Sequence, residues 1–457
     1  MKQALALSVL RSIAIVSFAA LIAIVAGLLI GGATAPLALA DPGPFVRWGQ
    51  PISKLILNLS MAVSVGSLVL SAFAANSEER RLLQPVSSWA ASLWLGSSAT
   101  YFILTYLNVS GSTISYGPLF SEGLWLFATQ IELGTLLAIN LGIALLLSLT
   151  TIAFQGQRMG AVNAAIALAG LYPLAESGHA SSDAGHALAV NSMLLHLVGV
   201  TIWVGGLVAL FALFRTGERA SVLVSRYSTL ALLSFVLVAS SGMVSGFIRL
   251  YQPSDLLTPY GLLLMGKASL LIVLGVMGVR YRAGLVEKVK QKASAFWSLV
   301  AFELFVMGAA MGLGTALAAT PLPENPNEFA PLTPAEILTG DPLPPELTPM
   351  GWLTVWDVDL LWLAVSVLGI VVYLYGVIRL RARGDSWPIG RTVSWILGML
   401  VLLYVTNGAP NAYQEFLFSM HMVGHMMLSM LVPVLLVPGA PVTVSYTHLT
   451  LPTKRIV

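Results

Sequence analysis

The sequence predicts an all-α protein, a polytopic transmembrane helical bundle of about twelve membrane-spanning helices in two units. Three observations carry this. Of the 457 residues, 57% are hydrophobic and only 9% charged, against roughly 25% charged in an ordinary soluble domain, and the mean hydropathy is +0.85. Twelve apolar runs reach or approach the roughly 20 residues needed to cross about 30 Å of hydrocarbon. The basic residues alternate from loop to loop in the pattern that fixes membrane orientation.

The first run, near 10–31, has Lys2 and Arg11 at its start, and the ALA at 38–40 before Asp41 resembles a cleavage site. Its apolar stretch is longer than the core of a signal peptide, which favours a retained anchor over a cleaved leader. Runs near 54–75, 86–108, 130–154, 159–176, 189–214, 226–249, 260–281 and 296–318 follow. With the N-terminus inside, the cytoplasmic loops hold Arg80, Arg81, Arg158, Arg215, Arg219, Arg226, Arg280, Arg282, Lys288, Lys290, Lys292, Arg379, Arg381, Arg383 and Arg391, fifteen basic residues. The outer loops hold only Arg47, Lys54 and Arg249. This asymmetry places the multi-pass chain in a bacterial cytoplasmic membrane with a cytoplasmic N-terminus.

Residues 319–356 include TPLPENPNEFAPLTPAEILTGDPLPPELTP, which is rich in Pro, acidic and free of Lys and Arg. They read as an extracytoplasmic linker, because repeated Pro breaks helix and strand alike. The linker divides a unit of about nine helices, 1–318, from a second unit, 357–443, with runs near 357–378, 392–409 and 414–437. The second unit opens on WLTVWDVDLLW, whose tryptophans suit a membrane interface. Residues 444–457 change abruptly in character. The stretch SYTHLTLPTKRIV resembles the translation of a sequencing adaptor, so 444–457 reads as a non-native tail and His448 is set aside. The second unit is then expected to be incomplete.

Cysteine is absent, so a soft metal here must be held by Met or His. The stretch FSMHMVGHMMLSM at 418–430 offers both. His421 and His425 are i and i+4, on one helical face, and Met422 and Met426 form a second i,i+4 pair about 100° round the helix. Thioether and imidazole together favour copper, Cu(I) above all, over hard cations. His196, about two turns into its helix, and His179 and His186, in the outer loop ESGHASSDAGHA, complete the metal candidates. The predicted topology puts all five histidines on the extracytoplasmic side. The bland readings are methionine as helix filler and histidine as an interhelical hydrogen-bond donor. Of the intramembrane charges, Glu132 and Lys267 are expected to pair, and Glu303 stands nearer the cytoplasmic side. No phosphate loop, HExxH, Ser/His/Asp arrangement or nucleic-acid footprint occurs, so neither an enzyme nor a nucleic-acid partner is expected.

The stretch HALAVNSMLLHLVGVTIWVGGLVAL, with SSGMVSGFIRL, LLTPYGLLLMGKASLL and LAATPLP after it, resembles the CopD-type copper-resistance membrane domain. The segment from WLTVWDVDLLW through YLYGVIRLRARGDSWPIGRTVSWILG to FSMHMVGHMMLSMLVPVLLVPGAP resembles the CtaG-type cytochrome c oxidase assembly domain. The resemblance covers positions 1–443, and its most specific part is HMxxHMxLxMxxPxLLxxGAP. It implies copper binding and transfer at or across the membrane, coupled to copper supply for the oxidase. The implied copper residues are His179, His186, His196, His421 and His425, and the implied partners are oxidase subunits or an extracytoplasmic copper chaperone. Two rival readings stand beside it: a membrane b-type cytochrome with His-ligated haem, and a proton-coupled secondary transporter.

Overall fold

The computed structural model describes residues 2–441 apart from 38–40, 113, 115–116, 155, 179–185, 214–219, 289–292 and 327–330, and among these there is helix and no strand. Eleven helices among the described residues are long and apolar enough to cross a membrane, and the chain is a multi-pass membrane protein. It divides into two compact units, Met1–Ser181 with Met193–Phe329, and Ser182–Ser192 with Ala330–Val457.

The first unit runs through α1 (Lys2–Gly31), α2 (Pro44–Phe73), α3 (Ser77–Ser110), α4 (Pro118–Gln130), α5 (Glu132–Ala153), α6 (Gln157–Ala169), α7 (Tyr172–Glu176), most of α8 (His186–Leu213), α9 (Ala220–Phe247), a 3-10 turn at Pro253–Leu257, α10 (Pro259–Lys288) and α11 (Ala293–Leu317). Its axis is α2, which contributes to both large apolar cores, one with α8 to α11 and one with α3, α5 and α6. Small residues make that position possible. A Cβ on Gly66 would run into the Gly205–Gly206 backbone, and one on Gly205 into the Ala62 carbonyl, so α2 and α8 cross with their backbones in contact.

The third apolar run is the expected span missing from the eleven. It lies in α3, at 34 residues the longest helix, which is rich in serine yet deeply placed. Ser87, Ser92 and Ser97 donate their hydroxyls to carbonyls three or four residues back at 2.8–3.0 Å, so a polar sequence sits in an apolar bundle with its hydroxyls satisfied. Across the interface Asn140 of α5 is a hub. Its Oδ1 accepts from Ser98 Oγ at 2.9 Å and Trp94 Nε1 at 3.3 Å, and its Nδ2 donates to the Gly170 carbonyl at 2.8 Å. An Asn76–Glu79 capping box starts α3, and Gly111 ends it in the left-handed region at φ 62°.

Helix α1 is built into the bundle. It lies along α11, where Cβ atoms on Gly308 and Gly312 would strike the carbonyls of Val16 and Ala20, and one on Gly27 would strike Ala316. Val16, Ala19, Ala20, Ile24 and Leu28 are buried along α1.

The second unit contains α12 (Pro334–Thr339), α13 (Gly351–Thr354), α14 (Leu360–Ala382), α15 (Ile389–Asn407), α16 (Ala409–Tyr413), α17 (Phe418–Met426), a π-helical turn at Met427–Leu431 and α18 (Val432–Leu436). Tyr373 stacks on Trp395 at 5.0 Å between ring centres and donates its hydroxyl to the Gly439 carbonyl at 2.8 Å, tying α14 and α15 to the end of the last helix.

The Pro-rich segment 319–356 contains local structure of its own. Pro334 follows the N-cap Thr333 in a capping box with Glu336, a first-turn position where a missing N–H costs nothing, so this proline starts a helix. The end of the segment is built into the second unit, where Tyr413 and Tyr404 donate their hydroxyls to the carbonyls of Pro345 and Trp352, each at 2.7 Å.

Replacing Gly312 by Leu is expected to lower stability by about 1–3 kcal/mol, the usual cost of overpacking. Leu at Gly278, whose Cβ meets nothing within 4 Å, is the control. Thermal unfolding of the two variants in detergent makes the comparison, and equal transitions would contradict the close α1–α11 contact.

Candidate metal site

The twelfth apolar run begins its helix at Phe418 because Leu417 is extended, with φ −126°. Met420, only 2% exposed, then fixes the rotation of α17: it enters a cluster with Ala409 and Tyr413, against Leu347, Trp352 and Val355. One residue of the Met run is therefore core filler. Its burial turns the opposite face outward, and His421, Met422, His425 and Met426 are all exposed.

The two imidazoles lie 6.5 Å apart between ring centres and are tilted by 40°. Two imidazoles sharing one ion from opposite sides have ring centres roughly 6 Å apart, given metal–nitrogen bonds of about 2 Å, so the ring separation matches that of a shared ion. Phe418 stacks on His421 at 6.5 Å and 17°, which limits the directions that ring can take. The second row on this face is sulfur. Met422, Met426 and Met430 are 41%, 48% and 57% exposed.

The helix loosens where this row ends. Pro433 has no N–H for the Ser429 carbonyl, and the preceding turn Met427–Leu431 is π-helical, a bulge often found at functional positions. Ser429 Oγ donates to the His425 carbonyl at 2.7 Å. Met426, Met427, Met430, Leu431 and Val434 line an open apolar depression beside the bulge.

In the first unit, His196 Nε2 is 3.2 Å from Lys267 Nζ, and its Nδ1 is 3.1 Å from Ser241 Oγ. An ammonium only donates, so Nε2 accepts and the ring proton sits on Nδ1, which donates to Ser241; that hydroxyl donates in turn to the Leu237 carbonyl. Both ring nitrogens are engaged. Lys267 thus meets His196 instead of the expected partner, Glu132, which opens α5. His186 opens α8, and its Nδ1 is buried without a hydrogen-bond partner among the described residues. His179 lies outside the described residues. No group of three or more His, Asp or Glu able to hold a metal occurs among the described residues.

Asp357, Asp359 and Glu415, which the sequence places at the outer ends of membrane segments as candidate functional charges, lie in the second unit. Asp357 accepts from Asn411 Nδ2 at 3.1 Å, and Asp359 caps α14 by accepting from the N–H groups of Leu361 and Trp362. Burial, then Asp341 and Asp359, push the Asp357 carboxyl above its ordinary range. Burial, then Asp341 and Asp357, do the same to Glu415. The signal in the sequence was four acids flanking helix ends with no Lys or Arg between 319 and 356.

Comparison with known proteins gives three family matches: residues 39–190 match the copper resistance protein D-like N-terminal domain, 221–317 match copper resistance protein D, and 371–457 match the cytochrome c oxidase caa3 assembly factor. An uncharacterized protein of Mycobacterium bovis and one of Mycobacterium tuberculosis are each 26% identical over 431 residues, 88% of this chain and 60% of theirs. An uncharacterized protein of Mycobacterium leprae is 38% identical over 109 residues, 24% of this chain and 16% of its own. The chain spans 60% of the length of the first two relatives. No solved structure matches.

The raised carboxyls give the second unit a pH signature. The folded chain holds these protons to higher pH than the unfolded chain does, so their stabilising contribution is fully present below the ordinary carboxylate range and is lost as pH rises through it to the raised native values. Asp357→Asn should therefore raise the unfolding temperature at neutral pH, with the gain vanishing below about pH 4. Unfolding curves across pH test this; an unchanged gain at all pH values would contradict it.

Proposed function

We propose that this chain, a fusion of copper resistance protein D regions (residues 39–190 and 221–317) with a caa3-type oxidase assembly region (371–457), binds copper as cargo at the extracytoplasmic face of a bacterial cytoplasmic membrane and passes it on for cytochrome c oxidase assembly. The family matches support a copper-resistance and oxidase-assembly role. The observation that carries the finer reading is the α17 face, where two exposed imidazoles stand 6.5 Å apart beside an exposed row of thioethers.

The chemistry suits transfer. Cu(I) accepts low coordination by soft ligands, and His421 with His425 supplies two nitrogens one turn apart. Met422 and Met426 supply sulfur that can replace one nitrogen as the ion leaves. A transferring site must hold its ion well enough to capture it and weakly enough to release it, and an exposed helix face in contact with few other side chains meets that need. The charge asymmetry of the loops supports an outward placement of α17. An oxidase subunit or an extracytoplasmic chaperone would exchange the ion there.

A b-type haem reading, which would take His196 together with His421 or His425, has less support: both His196 ring nitrogens are engaged, by Lys267 and Ser241. The transporter reading, which draws on Glu303 and Lys267, has less support, because Lys267 is engaged with the His196 imidazole.

Anaerobic Cu(I) titration against a competing chelator tests the proposal. Loss of a ligand should cost at least the roughly 10–100-fold typical of perturbing a metal site, so His421→Ala/His425→Ala should abolish the tight site and Met422→Leu/Met426→Leu should weaken it. Binding unchanged in both variants, or a Soret band in the purified protein, would contradict it.

A further inference from the structure

We propose that the turn joining α14 to α15 holds the headgroup of an anionic phospholipid, with its phosphodiester taken by Arg379, Arg381 and Arg391. Both helices are long and apolar enough to cross a membrane, over Leu360–Ala382 and Ile389–Tyr413, and only residues 383–388 join them. So short a connection cannot leave the bilayer surface, and the turn lies at headgroup depth. Between Arg379 and Arg391 the sequence carries four arginines and one acid, Asp385.

Positive charge in a membrane loop also serves insertion, which needs charge but no particular shape. This turn has a shape. Gly384, at φ 90°, closes α14 by donating its N–H to the Arg381 carbonyl at 3.0 Å, while the Asp385 N–H reaches the Leu380 carbonyl at 3.2 Å, the paired bonds that fix a helix end. Trp387, half-buried, donates its Nε1–H to the Tyr373 hydroxyl of α14 at 3.3 Å, and the Arg391 guanidinium carbon lies 5.2 Å from the centre of the Trp387 ring. Arg391 is thereby held over an indole that is itself tied to α14.

The charge is left open to the surface. Arg379, Arg381 and Arg391 are exposed, and none of them forms an ion pair with a described carboxylate. Beside them the surface is apolar, with Tyr375, Ile378 and Ile389 all exposed. A phospholipid matches both parts. Its phosphodiester oxygens accept guanidinium N–H groups in charge-assisted hydrogen bonds, and its acyl chains lie along Ile378 and Ile389. Clustered basic residues beside a membrane helix favour anionic lipid on electrostatic grounds. Free inorganic phosphate offers the charge without the chains and would use only half of this surface. The site lies in the second unit alone and needs no copper on α17.

Native mass spectrometry tests this on the purified full-length chain in non-ionic detergent, titrated with phosphatidylglycerol and separately with phosphatidylcholine. The wild type should bind one phosphatidylglycerol saturably and phosphatidylcholine at least about tenfold more weakly. Arg379→Gln/Arg381→Gln/Arg391→Gln should weaken phosphatidylglycerol binding by about a hundredfold, roughly fivefold for each arginine. Arg81→Gln/Arg158→Gln, which removes exposed arginines from α3 and α6, should leave it unchanged. Inorganic phosphate at constant ionic strength should not displace the lipid. Equal binding of the two lipids by the wild type, no loss in the triple variant, an equal loss in both variants, or displacement by phosphate would overturn the proposal. If the triple variant is not monodisperse, Arg391→Gln decides: a loss of roughly fivefold supports the site, and unchanged binding rejects it.

Discussion

Hydrocarbon offers no water to a polar group, and most of this architecture follows from that constraint. The first unit meets it in two ways. Serine and threonine hydroxyls return to carbonyls of their own helix, and Asn140 satisfies three neighbours at once. Glycine then lets helices approach until backbones touch, at Gly66 with Gly205 and at Gly308 and Gly312 with α1. In lipid that contact is a principal source of cohesion, because apolar burial alone gives little advantage over lipid tails.

Where the same accounting is left open, function is the natural explanation. The Lys267–His196–Ser241 chain is polar and intramembrane. On α17 His421, Met422, His425 and Met426 are exposed together with Phe418. Met420 divides the two roles within one helix: its thioether fills the core, and that orientation sends His421, His425, Met422 and Met426 outward. A helix spent on packing would bury its Met row and leave small or lipid-like residues outside. The π turn and Pro433 interrupt the regular α-helix just beyond the row.

Much of the fold was legible because period and length suffice for a membrane helix. Eleven of the twelve expected runs are long apolar helices. The exception, α3, hides its polarity in hydroxyl-to-carbonyl bonds that hydropathy counts as if they faced water. Proline was read as a breaker at 334, where its position after a capping threonine made it a starter. The i,i+4 pairing of His421 and His425 was legible from spacing alone, whereas the engagement of both His196 nitrogens depends on α9 and α10, 45 and 71 residues away in the chain, which no local pattern encodes.

The central claim is that imidazole and thioether from one exposed helix face hold the same copper ion. X-ray absorption at the copper edge, on protein loaded anaerobically with one equivalent of Cu(I), addresses it directly. The account expects a mixed first shell, with nitrogen that carries the outer scattering of imidazole and with sulfur, which in a chain without cysteine can come only from methionine. A shell of nitrogen and oxygen without sulfur, or of sulfur without imidazole, would contradict it.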